Sequence, residues 1–356
     1  MKKIAIVIWG ITERAGTERA VCNLAKLLTL SPKYSVSIIS AHSFPNEKPA
    51  YNINSNIKLY HLSLPFPLTK ISRLWMYIKF IIILNKICAQ ENIDIVLGTS
   101  HGMNISLVFL NKKIKKIACE HFTFMKAPFF CRVLRRATYP FFNSIVLLTN
   151  RDAKRYSFHK NAKVIPNSLS FFPKEKSKLM YKRVLAVGRL THEKGFDLLL
   201  DAIAIIKTEC KGWEFKIIGS GEDEEALKRK IKDLNLCKMV NICPPTDAIM
   251  QEYIDASIFV LSSRFEGFGL VLIEAQSCGL PIVSFNCPEG PAEIVRHNEN
   301  GFLVENGNTE GLSKAILEFM QNKEKRILFG ERALQGVVKY SPENVFVQWD
   351  SLLDKI

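Results

Sequence analysis

Residues 258–274 read Ile-Phe-Val-Leu-Ser-Ser-Arg-Phe-Glu-Gly-Phe-Gly-Leu-Val-Leu-Ile-Glu. The short apolar run at 258–261 predicts a buried strand, and the glycines that follow it predict a tight turn. A helix that ends at Cys278-Gly279 is expected after that turn. Because units of strand, turn and helix in this order build parallel sheets covered by helices, the stretch indicates an α/β fold.

The same alternation extends along the whole chain of 356 residues. Further strands are predicted at residues 4–9, 36–40, 94–98, 144–149, 183–187, 215–218 and 281–285, with helical stretches between them and a first helix at 17–30. A chain of this length suits two domains of similar size. We therefore expect two doubly wound, Rossmann-like parallel-sheet domains that face each other across a cleft.

The boundary between these domains is predicted near residues 164–168, and the polar, lysine-rich stretch 174–182 is predicted to be a linker. The first domain then covers residues 1–167 and the second covers 168–341. A last amphipathic helix is expected over 342–356.

The cysteines and the hydropathy of the chain are typical of a protein in a reducing compartment without a transmembrane helix. The nine cysteines form no Cys-x-x-Cys pair and no Cys/His cluster, which is typical of free thiols in a reducing compartment. The first apolar run is too short for a signal-peptide core, and the apolar window 71–89 is interrupted by Arg73, Lys79 and Lys86. We therefore expect a cytoplasmic protein without a transmembrane helix.

The positive charge is concentrated in one half of the chain. Residues 1–170 contain 25 Lys and Arg against seven Asp and Glu, whereas residues 171–356 contain 24 against 27. Such an asymmetry predicts an anionic partner, either a membrane surface or a nucleic acid.

Two cations follow the predicted strand at 183–187 in the run Gly188-Arg189-Leu190-Thr191-His192-Glu193-Lys194-Gly195. Ligands of an open parallel sheet bind beyond the carboxyl ends of its strands, so Arg189 and Lys194 are expected to face a ligand. Two fixed cations together with helix N-terminal amides suit a ligand with a diphosphate group. The chain contains no Asp-x-Asp motif that would hold a divalent metal beside a diphosphate, so we expect no divalent metal at this site.

Two carboxylates accompany the glycine turn after the strand at 258–261. Glu266 is predicted to lie on the loop and Glu274 near the start of the following helix. Gly267 and Gly269 allow backbone amides to approach a phosphate closely. Near the amino terminus, Gly16 can present its amide in the same way, and Thr17 is expected to cap the first helix.

Glu266 and Glu274, with seven residues between them, resemble the E-x7-E signature of the family 4 retaining glycosyltransferases. The resemblance includes Arg189 and Lys194 and extends from the Ala-Gly-Thr-Glu-Arg loop at 15–19 to Trp349. It implies the GT-B architecture, with the last helix crossing back onto the first domain. It also implies a UDP-sugar donor, no cofactor or divalent metal, and front-face substitution with retention of the anomeric configuration.

The resemblance further assigns roles to individual residues. Glu266 and His121 would contact the donor sugar, with His121 approaching the anomeric centre, while Arg189 and Lys194 would hold the diphosphate. Glu274 would accept hydrogen bonds from the ribose hydroxyls. The donor site would be completed by Gly16, Gly267, Phe268, Gly269 and Glu293. The turn around Glu293 resembles that of bacterial enzymes that transfer N-acetylhexosamines or galactose.

Two basic stretches of the first domain predict membrane contact. Residues 70–86 and 126–143 place apolar and aromatic side chains beside cations, as interfacial segments do. The segments contribute Leu74, Trp75, Ile78, Ile81, Ile82, Lys79 and Lys86, and Phe129, Phe130, Arg132, Arg135, Arg136, Tyr139, Phe141 and Phe142. We expect the first domain to bind a lipid-linked glycan acceptor, with a polyprenyl diphosphate carrier, at the inner face of the plasma membrane.

Several alternatives remain open at this point. Arg189 and Lys194 can be solvated loop charges, Glu274 can favour its helix N-terminus, and His121 can be structural. Trp75 and the isoleucines of 70–86 can be ordinary core residues. For the whole chain, the alternatives are a sugar-nucleotide epimerase of the same fold and a non-enzymatic protein that binds an anionic polymer such as a nucleic acid. No nucleic-acid-binding motif accompanies the charges, so a nucleic-acid partner is not expected.

Overall fold

The computed structural model describes residues 1–124 and 127–356, which divide into two compact units. Unit 1 consists of residues 1–168 together with 342–356, and unit 2 consists of residues 169–341. Each unit is built on one parallel sheet covered by helices.

Unit 1 contains a seven-stranded parallel sheet in the order β3-β2-β1-β4-β5-β6-β7. Its strands are β1 (Lys2–Ile8), β2 (Tyr34–Ser40), β3 (Lys58–His61), β4 (Ile95–Gly98), β5 (Lys115–Glu120), β6 (Ser144–Leu147) and β7 (Ala162–Val164). Its helices are α1 (Gly16–Leu28), α2 (Lys70–Glu91), α3 (His101–Ser106), α4 (Phe129–Thr138), α5 (Asn150–Ala153) and, after unit 2, α13 (Pro342–Asp354).

The core of unit 1 follows from the alternation of side chains along its strands. In β1, Ile4 and Ile6 point to one face of the sheet and Ala5 and Val7 to the other, and all four are fully buried. Trp349 of α13 packs in the same cluster as Ile4 and Ile6. The last helix therefore completes the core of unit 1, although unit 2 lies between them in the sequence.

Unit 2 contains a six-stranded parallel sheet in the order β10-β9-β8-β11-β12-β13. Its strands are β8 (Arg183–Val187), β9 (Glu214–Ile218), β10 (Val240–Cys243), β11 (Ile258–Leu261), β12 (Ile282–Phe285) and β13 (Gly301–Val304). Its helices are α6 (Phe196–Ile205), α7 (Glu224–Asp233), α8 (Ile249–Ile254), α9 (Leu270–Ser277), α10 (Pro291–Ile294), α11 (Thr309–Gln321) and α12 (Lys323–Val337).

The strand order creates a topological switch point in unit 2. β8 pairs with β9 on one side and with β11 on the other, so the chain winds in opposite directions from β8. Loops that leave neighbouring strands at such a point diverge and leave a crevice, where doubly wound proteins bind their ligands. The loops after β8 and β11 therefore define the expected ligand position of unit 2.

The structure contradicts the predicted linker at 174–182. These residues belong to unit 2, where the Ser177 amide donates to the Cys278 carbonyl at 2.8 Å and the Leu179 side chain is buried. The Ser177 hydroxyl also donates to the Ala256 carbonyl at 2.5 Å. The lysines of this stretch are exposed, whereas Ser177 and Leu179 anchor it to unit 2, so the polar composition did not indicate a free linker.

The two basic stretches of unit 1 are only partly surface segments. Trp75 is 60% exposed, and Leu74, Ile78 and Ile82 are exposed as well, which excludes the interpretation that all of them are core residues. In contrast, Ile81, Arg135, Tyr139 and Phe142 are buried, so their assignment to a membrane surface was wrong. Lys126 lies outside the described residues.

The burial of Arg135 has an electrostatic cause. Arg135 is the buried residue of α4, and its guanidinium lies 3.3 Å from the Glu120 carboxylate at the end of β5. A buried cation requires such a partner. None of the helices formed by residues 1–124 and 127–356 combines the length and apolar character needed to cross a bilayer.

Candidate functional site

Lys194 ends a short 3-10 turn, His192–Lys194, in the loop that leaves β8. The turn is possible because Gly195, which lies between the turn and α6, adopts a left-handed backbone with φ of 62°. A Cβ atom at Gly195 would lie 2.1 Å from the Ser262 carbonyl oxygen, so only glycine fits between the two loops. The close approach brings Lys194 next to the loop after β11.

Glu266 lies in that second loop, and its carboxylate accepts two hydrogen bonds at one oxygen. Lys194 Nζ is 2.5 Å from Glu266 Oε1, and Ser263 Oγ donates to the same atom at 2.9 Å. The Glu266 residue is only 9% exposed. Glu266 lies on the loop, as predicted, and the loop that leaves the neighbouring strand β8 delivers a lysine to its carboxylate.

Arg189 is exposed in the same loop as Lys194. Its guanidinium forms no hydrogen bond or ion pair with any residue of 1–124 or 127–356. The expected pair of cations therefore consists of one that is held by a carboxylate and one that faces solvent. Both lie beyond the carboxyl end of β8, as predicted.

The glycine turn joins this loop to α9. Gly269 has φ of 92° and precedes the helix, while Gly267 is half-buried. The Phe268 ring is buried and packs edge-to-face on Tyr340, with 5.6 Å between the ring centres. The Phe268 ring is therefore part of the packing of unit 2.

Glu274 is fully buried within α9. Ser170 Oγ donates to Glu274 Oε1 at 2.9 Å, and Tyr253 Oη donates to Oε2 at 3.1 Å. These donors come from outside α9, so the carboxylate is not simply a partner of its own helix N-terminus. A ribose that binds Glu274 would have to replace or extend these hydrogen bonds.

Glu289 was not identified from the sequence, although it lies beside Glu266. It is 2% exposed, has φ of 76°, and forms an isolated parallel bridge with Glu266. The next residue, Gly290, donates its amide to the Glu266 carbonyl at 3.2 Å. Nothing in the sequence signalled a left-handed glutamate, since this backbone region usually requires glycine.

Glu293 lies in the short helix α10 that follows Gly290. Its backbone carbonyl accepts hydrogen bonds from Tyr340 Oη at 3.1 Å and from Lys339 Nζ at 3.3 Å. These contacts hold α10 against the segment that leads out of unit 2. The prediction that Glu293 borders the sugar pocket stays a prediction.

His121 directly follows β5 in unit 1 and lines a small apolar pocket with residues of α1 and α13, including Leu24 and Trp349. Its Nε2 atom is enclosed and forms no hydrogen bond within the described part of the chain. Burial lowers the pKa of the imidazole from 6.5 to about 4. His121 is therefore neutral at physiological pH.

Gly16 is the first residue of α1, and Ala15 is the helix N-cap with an extended backbone. The structure contradicts the predicted cap at Thr17, because the helix begins at Gly16 and its N-cap residue is Ala15. The space around Gly16 is open, since an added Cβ would meet no atom within 4 Å.

The titratable side chains of residues 1–124 and 127–356 include no group of three that could hold a metal ion. The adjacency of β8 and β11 brings Lys194 and Glu266 into contact. Arg189 lies in the same loop as Lys194, and Glu274 lies in the helix after the glycine turn, whereas Gly16 and His121 belong to unit 1.

Comparison with known proteins provides the relatives of this chain. Residues 168–335 match the family model described as glycosyl transferases group 1. The chain is 33% identical to an uncharacterized glycosyltransferase of Haemophilus influenzae, over 99% of the chain and all of the relative. It is 29% identical to the amylovoran biosynthesis glycosyltransferase AmsD of Erwinia amylovora, over 99% of the chain and all of that protein.

A third relative has a name that describes its substrates. It is an alpha-1,4-N-acetyl-D-galactosaminyltransferase of Campylobacter jejuni that acts on a glycan linked to PP-undecaprenol, 25% identical over the whole chain and 99% of the relative. Among solved structures, a TarM variant of S. aureus in complex with fondaparinux, alpha-GlcNAc-glycerol and UDP matches with a TM-score of 0.83. The match covers 99% of the chain and all of TarM at 17% identity, and it confirms the predicted fold.

Proposed function

Because the chain belongs to the group 1 glycosyl transferases, a retaining family with the GT-B fold, we propose that it transfers a hexose or N-acetylhexosamine from a UDP-sugar to a lipid-linked glycan in bacterial polysaccharide biosynthesis. The chain is a glycosyltransferase, and the donor, the acceptor and the cytoplasmic membrane location are the parts we propose. The proposal gives each candidate residue a chemical task.

The observation that carries the proposal is the contact of 2.5 Å between Lys194 Nζ and Glu266 Oε1 at the switch point of unit 2. A nucleotide sugar has an anionic diphosphate next to neutral hydroxyl groups, so it needs a cation and a carboxylate close together. In the proposed complex the diphosphate competes for the Lys194 ammonium, and Glu266 then accepts hydrogen bonds from sugar hydroxyls. The exposed Arg189 supplies a second cation.

The leaving diphosphate gains negative charge as the glycosidic bond breaks. Lys194 and Arg189 stabilise this charge, and the amides at Gly267 and Gly269 add donors at the N-terminus of α9. Glu274 would accept hydrogen bonds from the ribose. On this proposal the phosphate oxygen that leaves the sugar accepts the proton of the acceptor hydroxyl, and the anomeric configuration is retained.

His121 and Gly16 provide the contribution of unit 1. A neutral imidazole can donate one hydrogen bond and accept another, so His121 suits a sugar hydroxyl near the anomeric carbon better than it suits the diphosphate. The amide of Gly16 would donate to a phosphate oxygen. We propose these roles from the positions of His121 and Gly16 after β5 and before the body of α1.

UDP is proposed as the nucleotide because TarM, which shares the fold, binds UDP. A polyprenyl-diphosphate acceptor is proposed because the Campylobacter jejuni relative acts on a PP-undecaprenol glycan. The donor sugar can be a hexose or an N-acetylhexosamine, and the linkage formed is left open.

The exposed faces of α2 and α4 support membrane docking of unit 1. Trp75, Phe129 and Phe130 are exposed, and the unit carries the excess of Lys and Arg. Burying apolar rings in the interface and placing cations near anionic headgroups both favour binding, each cation by about 1 kcal/mol. Arg135 does not take part, because it anchors α4 to Glu120. This docking would present a lipid-linked acceptor at the inner face of the plasma membrane.

Titration calorimetry with UDP, GDP and ADP in EDTA tests the donor site. We expect UDP to bind and Lys194→Ala to weaken it by about 2 kcal/mol, or about thirtyfold, because a charge-assisted hydrogen bond is lost. The matched control is Lys216→Ala, since Lys216 Nζ lies 2.7 Å from Glu252 in the same unit on β9. Equal losses in both variants, or no nucleotide binding in the wild type, would contradict the proposal.

Two further assays separate the alternatives. A transferase with a UDP-sugar and acceptor should give a product whose anomeric configuration, determined by NMR, matches the donor, and an inverted product would refute front-face substitution. An epimerase would instead convert the UDP-sugar to its epimer without an acceptor. Co-sedimentation with anionic and neutral vesicles tests docking, with Phe129→Ser expected to weaken binding and the exposed Phe172→Ser of unit 2 as the control.

A further inference from the structure

Arg264 and Asp197 join the two loops that carry Lys194 and Glu266. Arg264 Nη1 and Nη2 donate to Asp197 Oδ1 and Oδ2, both at 2.7 Å, in a two-bond ion pair. Asp197 lies in the first turn of α6, directly after the Lys194 turn, and Arg264 precedes Glu266 by two residues. The pair therefore connects the loops at the positions next to the proposed site residues.

The same segment binds the backbone of the Lys194 turn at three successive carbonyls. Arg264 Nη1 donates to the His192 carbonyl at 2.8 Å, and the Arg264 amide donates to the Glu193 carbonyl at 2.8 Å. Ser262 Oγ donates to the Lys194 carbonyl at 3.1 Å. Every residue of the turn is thus fixed to the loop after β11.

We propose that Arg264 is a positioning residue for the donor diphosphate. It sets the backbone of the Lys194 turn against the loop of Glu266, so that the ammonium reaches both the carboxylate and an incoming diphosphate. This inference rests on the proposed function for the identity of the ligand. The contacts that position the Lys194 turn are made within the chain and do not require a ligand.

Only an arginine side chain can bind the Asp197 carboxylate and the His192 carbonyl together. Its planar guanidinium directs two N–H groups at one carboxylate and a third at the His192 carbonyl, whereas a lysine ammonium is a point charge on a flexible stem. Lys194 itself has such a stem, so its reach depends on where its backbone is held. A substitution of Arg264 therefore changes the position of the Lys194 ammonium, although Arg264 itself does not contact the ligand.

A purely stabilising role is the competing explanation. The Arg264 and Asp197 side chains are 21% and 37% exposed, and ion pairs near the surface contribute little to stability. Unit 2 contains a matched pair, in which Arg183 Nε lies 2.9 Å from Glu214 Oε2 and the side chains are 26% and 35% exposed. Arg183 begins β8, at the opposite end of the strand from Lys194. It is the control for loss of an arginine ion pair without loss of positioning.

The first measurement requires no ligand. The rate at which acetic anhydride acylates Lys194 is followed by peptide mass spectrometry in the wild type, Arg264→Gln, Arg264→Lys and Arg183→Gln. We expect at least a threefold faster reaction at Lys194 in both Arg264 variants and no change at Lys194 in Arg183→Gln. Lys325, whose Nζ lies 2.8 Å from Glu318, should be unchanged throughout as the internal reference. Equal rates at Lys194 in properly folded Arg264→Lys and wild type would overturn the inference.

The second measurement uses the nucleotide. In Arg264→Lys we expect UDP binding at least tenfold weaker and kcat/KM reduced by a similar factor, while Arg183→Lys keeps wild-type values. Asp197→Asn should have the same effect, and the double variant should be no worse than either single change. If Lys194 reactivity rises but the wild type binds no nucleotide, the positioning stands and the proposed function fails. Equal UDP binding in Arg264→Lys and wild type would refute the assigned role.

Discussion

The burial of His121 predicts a specific dependence of stability on pH. Its pKa is 6.5 in an unfolded chain and about 4 in the folded protein, because the enclosed imidazole is costly to charge. As the pH falls below 6.5, the unfolded state binds this proton first, so the contribution of His121 to stability is lost between pH 6.5 and pH 4. The shift corresponds to about 3 kcal/mol in total, with about 2 kcal/mol lost by pH 5.

The variant His121→Asn removes this titration while keeping a polar side chain. We expect the free energy of unfolding of the wild type to fall by about 2 kcal/mol more than that of the variant between pH 7 and pH 5. Other groups titrate in the same range, so the difference between the two proteins is the relevant quantity.

Urea unfolding followed by tryptophan fluorescence can report unit 1 alone. Of the four tryptophans, Trp9, Trp75 and Trp349 lie in unit 1 and Trp213 lies in unit 2, so a Trp213→Phe background isolates the unit that contains His121. The reasoning would be refuted if wild type and His121→Asn lost the same stability between pH 7 and pH 5. Such a result would mean that the imidazole is hydrated or hydrogen-bonded.

Three further predictions follow from packing and burial. Gly195→Ala should lower the free energy of unfolding by more than about 2 kcal/mol in thermal unfolding, because a left-handed backbone is strained for alanine and the Cβ would lie 2.1 Å from a carbonyl oxygen. Gly307→Ala is the control: its φ is 84° but the space around it is open, so only about 1 kcal/mol should be lost. Trp349→Ala should destabilise unit 1 by about 3–5 kcal/mol in urea unfolding, and a loss below about 1 kcal/mol would show that α13 is not part of its core. Iodoacetamide should label the exposed Cys237 about tenfold faster than the buried Cys278, because burial raises the pKa of the Cys278 thiol to about 12. Mass spectrometry of the folded protein measures both labelling rates, and equal rates would contradict this prediction.

The sheet architecture was predictable because most strands are buried on both faces. β1, β2, β4, β6, β8, β9, β11 and β12 appear in the sequence as apolar runs, and each was predicted to within a few residues. β3, β7 and β10 are edge strands that are short and partly exposed, so they lack this signal. β13 begins at Gly301, and β5 begins with two lysines, which hides an otherwise apolar strand.

The chemistry of the candidate site was predictable only as a set of residues. Lys194 and Glu266 are 72 residues apart, and their contact depends on the pairing of β8 with β11, which no local pattern encodes. The same limit explains why Arg264 and Asp197 were missed. Arg135 was wrongly assigned to the membrane surface because α4 is amphipathic by sequence. Only the position of Glu120 on β5 shows that this arginine is buried.

The discontinuity of unit 1 has a consequence for the order in which the protein folds during synthesis. Residues 169–341 of unit 2 are all translated before α13, whereas unit 1 must wait for Trp349 to close its core. Domains generally fold as units while the chain emerges from the ribosome. The nascent amino-terminal half therefore remains open at its α1 face throughout translation of unit 2, and we expect chaperones that bind apolar surface to associate with it until α13 has emerged.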